Sequence, residues 1–253
     1  MENALILGNR IVKLDETTST NVFLQEMLVN STCFEGLVVL TKNQLQGKGQ
    51  RGNTWESESG KNLTFSVLLK PNVLIEEQFV LSQVVSLGIY DFLAKMGFEQ
   101  VAIKWPNDIY VDGNKIAGIL IENTLSANKI GNCIVGIGLN VNQTQFSPSI
   151  NATSLAILTD KEFDDKEFDL SQLLSDLLKH IEYRYLQLKA GKNTQLKLDY
   201  LNVLLGYQKP LHYLVNNERV TGIIRGVSAI GKLQVEINSQ IKEFDLKEIS
   251  LIS

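Results

Sequence analysis

Between Phe79 and Met96 the chain sets Val80, Leu81, Val84, Val85, Leu87, Ile89, Phe92 and Leu93 in one nearly continuous apolar stretch. That run is too long and too unbroken for a strand, so it predicts a helix buried in the core and stopped by Gly97. Most of what surrounds it reads as strand. Leu37 to Leu40 is a short buried run, and Leu63, Phe65, Val67 and Leu69 alternate as a half-buried strand should. Val101 to Lys104, Ile109 to Val111, Lys115 to Asn123 and Ile134 to Val141 follow, with Asp112-Gly113 supplying hairpin chemistry. Ser19 or Thr20 is the expected cap of a short helix carrying Val22, Leu24, Met27 and Leu28. Asp169, with Gln172 three residues on, opens a long helix that ends at Gly191. A second helical stretch, Thr194 to Leu205, stops at Gly206, and Ser147 to Asp169 is the expected irregular connection. Beyond Leu211 short alternating runs separated by Asn216-Asn217, Gly231 and Asn238-Ser239 have the pattern of a small β-barrel. The fold class is therefore α+β: a mixed, largely antiparallel sheet backed by helices over residues 1–205, then a small barrel over 206–253.

Composition narrows the function. A net charge of −4 removes the electrostatic footprint of general nucleic-acid binding but leaves room for small anions at local cations. No apolar run approaches the roughly 18 residues needed to cross a bilayer, and the start of the chain does not read as a leader. Cys33 and Cys133 sit singly among apolar residues, which predicts buried free thiols and a reducing, cytoplasmic setting. His180 and His212 lie apart from every motif below, so neither a Ser-His-Asp triad nor a histidine metal site has its material.

Four segments combine residue types that chemistry needs. Gly47-Lys48-Gly49-Gln50-Arg51-Gly52, ending at Trp55, joins unobstructed backbone to two cations, which suits an anion and equally suits a solvated turn. Lys104-Trp105-Pro106-Asn107-Asp108 breaks a strand at Pro106 and leaves Lys104 at its end, either as an anion ligand or as an edge-strand lysine. Ser19-Thr20-Asn21 either caps a helix or holds a small polar ligand. Gly136 and Gly138, followed by Asn140, mark a tight sheet crossing or a close backbone approach by a ligand.

Taken in this order, with Lys115-Ile116-Ala117-Gly118 after the second segment, these motifs resemble the biotin protein ligase family over roughly residues 13 to 250. The resemblance implies a catalytic domain of the class II synthetase-like type with an SH3-like C-terminal barrel. It also implies two substrates, ATP and biotin, with Mg2+ accompanying the nucleotide through ligands that cannot be assigned. Biotin would be activated to biotinyl-5′-AMP and passed to a lysine of a biotin carboxyl carrier protein or domain of a carboxylase. By matched position, Ser19, Thr20, Asn21 and Gln44 would line the biotin pocket, with Lys48, Gly49 and Gln50 closing over the acid. Lys104 and Arg51 would be the catalytic cations, Lys104 reaching both the carboxylate and the α-phosphate. Gly47, Lys48, Arg51, Gly52, Trp55, Asn107, Lys115, Gly118 and Asn140 would surround the adenylate.

Two departures stand out. The family loop often carries arginine where this chain has Lys48 and Gln50; lysine keeps the charge without the bidentate fork, and Gln50 loses it, so the intermediate is expected to leak. Fewer than about 20 residues precede Ser19, too few for the helix-turn-helix of repressor relatives, so no DNA binding is expected. Membrane partners are not expected either, and a homodimer is compatible with the reading. The competing functions are a non-catalytic biotin-binding regulatory module and a lipoate or octanoate ligase or transferase. For the latter, the arginine-rich, serine-glycine-glycine-glycine stretch is missing.

Overall fold

The computed structural model describes residues 6–147, 151–159 and 167–252, with the Arg51 side chain outside that set. Its first half runs β1 (Arg10–Thr17), α1 (Thr20–Asn30), β2 (Leu37–Gln44), β3 (Leu63–Leu69) and α2 (Phe79–Lys95). Next come β4 (Val101–Lys104), β5 (Asp108–Val111), β6 (Asn114–Ser126) and β7 (Lys129–Leu139). A single turn α3 (Leu155–Leu158) precedes α4 (Leu170–Lys189) and α5 (Asn193–Asn202). The chain closes with β8 (Pro210–Val215), β9 (Glu218–Val227), β10 (Leu233–Ile237), β11 (Gln240–Phe244) and β12 (Ile249–Leu251).

The first seven strands form one sheet in the order β1-β2-β3-β7-β6-β5-β4, parallel only between β1 and β2. β1 is an addition to the expectation: its charged, exposed alternation hid a strand that pairs along the edge of the sheet. Helix α2 lies where the apolar run predicted and buries twelve of its residues, packing on β4, β5 and β6 and against α4 and α5. At its centre Gly88 lets α4 approach so closely that an added Cβ would lie 2.6 Å from the Ile181 Cα. Asp169 caps α4, accepting from the Ser171 and Gln172 amides, while the Gln172 side chain turns to Asp176 instead of completing the box.

Helix α1 covers the opposite face through a small second core of Leu24, Cys33, Leu37, Val39, Leu68 and Ile134. The sheet is thus sandwiched, which corrects the half-buried reading of β3: all seven of its residues are buried. Leu63, Phe65, Val67 and Leu69 enter the main core, and on the other face Leu68 lies under α1 while Thr64 and Ser66 are polar and dry. Polar alternation here marks an interior pocket, not solvent.

The helical stretch after Thr194 also ends earlier than expected. α5 stops at Asn202, and Leu204 instead bridges Ile103 in parallel, with the Ile103 amide donating to Val203 O and the Leu205 amide to Ile103 O. The edge strand β4 is thereby covered. The second sheet, antiparallel in the order β11-β10-β9-β8-β12, forms the SH3-like unit, its Tyr213, Ile224, Leu233 and Val235 joining the main core. Left-handed Asn216-Asn217 and Asn238-Ser239 make its tight turns. The expected irregular connection lies partly outside the described residues; within it, the Ser154 hydroxyl accepts from the Ile157 amide and caps α3.

Candidate active site

One cavity of about 370 Å³ gathers most of the expected residues, from the start of α1, the glycine-rich loop, β3, the β4–β5 corner, β6 and β7. Ser19, Thr20, Asn21, Gln44, Lys48, Gly49, Gln50, Trp55, Lys104, Asn107, Lys115 and Gly118 all line it. Gly47, Gly52 and Asn140 do not, and the Arg51 side chain lies outside the described residues.

At the α1 end Thr20, Asn21, Gln44 and Ser66 are hydrogen-bonded within the protein. Ser19 occupies the cap position, but its side chain makes no capping bond; Gln44 does that work from β2, its Oε1 accepting from the Thr20 amide at 2.9 Å. Ser66 Oγ lies 2.7 Å from Thr20 Oγ1 and donates to Asn21 Oδ1 at 2.5 Å. The Asn21 amide nitrogen donates in turn to Glu122 Oε2 at 2.7 Å and to Leu120 O at 3.3 Å. Ser66 is a member of this site that sequence reasoning missed. The signal was present, since a hydroxyl at the centre of a strand this apolar needs a buried partner.

The glycines of β7 each make room for a side chain, one at either end of the cavity. A Cβ on Gly136 would fall 2.5 Å from Asn21 Oδ1, and one on Gly138 would fall 2.2 Å from the Trp55 ring. The close approach expected at these glycines is made by two of the protein's own side chains. Asn140, expected at the adenylate, is buried and outside the cavity lining; its Nδ2 donates to Thr153 O at 2.9 Å, anchoring the segment before α3, and its Oδ1 has no partner among the described residues.

The glycine-rich loop closes on itself. The Gly49 amide donates to Asn53 O at 2.7 Å and the Trp55 amide to Gly47 O at 2.9 Å, so these two donors are spent inside the loop instead of cradling an anion. Gly47 is required because a Cβ would meet Trp55 O at 2.5 Å, and Gly52 because its φ is +87°. What the loop delivers to the cavity is Lys48, Gln50 and the Trp55 indole, whose buried Nε1 has no hydrogen-bond partner among the described residues.

Lys104 ends β4 as expected, after which the Trp105-Pro106 bond is cis. Its ammonium faces Tyr110, 3.4 Å from the hydroxyl and 5.0 Å from the ring centre. Burial, then the Asp108 charge, holds the Tyr110 phenol above its ordinary value, so this neighbour is neutral; Asp108 lies opposite Lys104 in the β4–β5 pair. Asp108, the one acid among the lining residues, is paired with Lys115 at 2.7 Å, and Lys115 also lies 5.7 Å from the Trp55 ring centre. Asn107 lines the cavity but its amide nitrogen is committed to Ile119 O, while the Ile119 amide donates to Asn107 O at 3.1 Å. It fixes the β4–β5 corner against β6.

The two ends together form a pocket with a hydrogen-bonded polar wall at one end and a cationic region bordered by an indole at the other. Known proteins of this kind match the chain. The family model described as "Biotin/lipoate A/B protein ligase family" covers residues 13–140. The bifunctional ligase/repressor BirA of Bacillus subtilis is 27% identical over 97% of this chain and 75% of its own length. The biotin--[acetyl-CoA-carboxylase] ligase of Mycobacterium tuberculosis is 27% identical over 89% of this chain and 82% of its own. The biotin protein ligase of Aquifex aeolicus, solved with biotin and ATP, superposes with a TM-score of 0.76 at 29% identity, over 96% of this chain and 98% of that one. With the matching sequence, sheet and cavity in place, this chain belongs to the biotin/lipoate A/B protein ligase family.

Proposed function

We infer that the protein activates biotin with ATP to biotinyl-5′-AMP and pyrophosphate, then transfers the biotinyl group to a lysine of a biotin carboxyl carrier domain of a carboxylase. The observation that carries this reading is the convergence of the Ser19–Asn21, Lys48–Trp55, Lys104–Asp108 and Lys115–Gly118 segments on one cavity. In the first step a carboxylate oxygen of biotin attacks the α-phosphorus as the bond to the pyrophosphate oxygen breaks. The acid is already ionised, so no base is needed. The barrier lies in bringing two anions together, and a lysine at the cavity wall such as Lys104 lowers it. In the second step the acceptor amine attacks the acyl carbonyl, the bond to the AMP oxygen breaks, and the nitrogen loses a proton.

Thr20, Asn21 and Gln44, already oriented by hydrogen bonds, suit the ureido ring system, and Lys48, Gly49 and Gln50 border the acid. Trp55, Lys115 and Gly118 border the nucleotide. Magnesium fits as an ion carried on the phosphates, where it would neutralise charge: among the described residues no group of three His, Cys, Asp or Glu could hold it alone. A cytoplasmic setting accords with two buried free cysteines.

The test is incubation of the chain with biotin, ATP, magnesium and a carrier domain, read by mass spectrometry as one biotinyl addition, with lipoate and octanoate in parallel. Lys104→Ala is expected to lower adenylate formation by about 10²–10³-fold, the cost of one preorganised charge on a transition state. Addition of lipoate but not biotin would overturn the substrate.

A further inference from the structure

The hydrogen bonds at the α1 end have a direction as well as a set of partners. The Thr20 amide can only donate, so the Gln44 atom 2.9 Å from it is the carbonyl Oε1, and the Gln44 NH2 points elsewhere. Asn21 is fixed in the same manner from β6. Its Nδ2 lies 2.7 Å from Glu122 Oε2 and 3.3 Å from Leu120 O, and neither a carboxylate nor a carbonyl has a hydrogen to give. The Asn21 NH2 therefore faces β6, and its Oδ1 faces Ser66.

From there each hydrogen has one place to go. Asn21 Oδ1 and Ser66 Oγ are 2.5 Å apart, so a hydrogen lies between them, and only the hydroxyl can supply it. Ser66 has then spent its hydrogen, and the one in its 2.7 Å contact with Thr20 Oγ1 comes from Thr20. Gln44 Oε1, farther from the Thr20 hydroxyl at 3.3 Å, is left with the Thr20 amide. Thr20 and Asn21 are 3% exposed and Ser66 is fully buried, so any other order sets two acceptors or two donors face to face with no water to relieve them. Thr20 lines the cavity, while Ser66 and Glu122 stand behind it. What the cavity meets at Thr20 Oγ1 is a lone pair with no hydrogen on offer.

We propose that Glu122 is a positioning residue for the acid substrate: by holding Asn21 in one orientation it sets the direction of the Asn21–Ser66–Thr20 chain, and so makes the Thr20 hydroxyl an acceptor for a ring N–H. The proposal rests on the biotin reading above, since a cyclic urea carries such N–H groups. Glu122 touches no ligand; it acts through Asn21, and Ser66 relays the choice to the cavity wall. A ligand that brings an acceptor to the same place meets lone pair against lone pair, which is how a buried polar wall rejects a near-isostere.

Calorimetric titration of the full chain and of Glu122→Gln, Glu122→Ala and Glu122→Lys tests it. The probes are biotin and its two cyclic-carbamate analogues, each with oxygen in place of one ring N–H. The unaltered chain is expected to prefer biotin over one of the carbamates by about tenfold or more. Glu122→Lys sets a donor against the Asn21 NH2, which turns the amide round, reverses the chain and hands the Thr20 hydrogen to the cavity. Biotin then weakens by about tenfold while that carbamate holds or gains, so the preference collapses. Glu122→Ala, with Leu120 O still accepting, loses a few-fold in biotin affinity, and Glu122→Gln, which keeps an acceptor, restores most of the preference. Equal biotin affinity across the series, or a parallel loss for biotin and both carbamates, overturns the proposal and leaves the biotin reading standing. Failure of the unaltered chain to bind biotin overturns that reading and the proposal with it.

Discussion

The two ends of the cavity are built on opposite principles. At the α1 end Thr20, Asn21, Gln44 and Ser66 spend their hydrogen bonds on one another and on Glu122, so their orientations are set before any ligand arrives. At the β4 end the Trp55 Nε1 and the Tyr213 hydroxyl have no partner among the described residues, and Lys104 lies against the Tyr110 hydroxyl with Asp108 across the strand pair. The first arrangement recognises shape and a fixed donor pattern; the second holds unspent donors and charge for an anion. On the proposed function, specificity and catalytic power would therefore reside in different places.

Two neighbouring glycines of β7 separate these ends experimentally. Gly138→Ala should have the largest effect, because its methyl would land within 2.2 Å of the Trp55 ring. We expect KM for ATP to rise by about 10²-fold with biotin affinity retained, the scale of a displaced binding group. Equal losses for both substrates would dissolve the distinction. Gly136→Ala drives instead into Asn21 Oδ1, 2.5 Å away, and should weaken biotin by about tenfold in calorimetry while sparing ATP. Ser66→Ala leaves Asn21 Oδ1 without its hydroxyl donor, and a loss of a few-fold in biotin affinity is expected, about 1 kcal/mol. Gln50→Arg should be the mildest change: added charge at the cavity wall slows release of the biotinyl-adenylate a few-fold, as measured by its appearance in solution, and unchanged release would remove Gln50 from the list of departures that matter.

Much of this was legible in the residues. The apolar run of α2, the hairpin at Asp112-Gly113 and the strand break after Lys104 each follow from local chemistry that packing did not override. β1 was hidden because its exposed edge carries Arg10, Lys13, Asp15 and Glu16, and polar alternation on an edge looks like loop. β3 was misjudged for a related reason: Thr64 and Ser66 are buried polar residues, Thr64 lining the cavity and Ser66 bonded to Thr20 and Asn21, and sequence alternation cannot tell a buried polar face from a solvated one. Asn140 is a motif residue whose amide nitrogen serves the backbone of Thr153, a contact that spacing alone could not reveal. Tyr213 and Lys247 left no signal at all, since they reach the cavity only through the packing of the second sheet on the first.

The chain contains two tryptophans, Trp55 and Trp105, and both line this single cavity, one on the glycine-rich loop and one beside Lys104. Its red-edge ultraviolet emission thus arises wholly from the walls of the binding site, so the unlabelled protein carries its own titration dye: ligands entering from the loop side and from the second-sheet side can each be followed by quenching, and single Trp→Phe variants assign each signal to its wall.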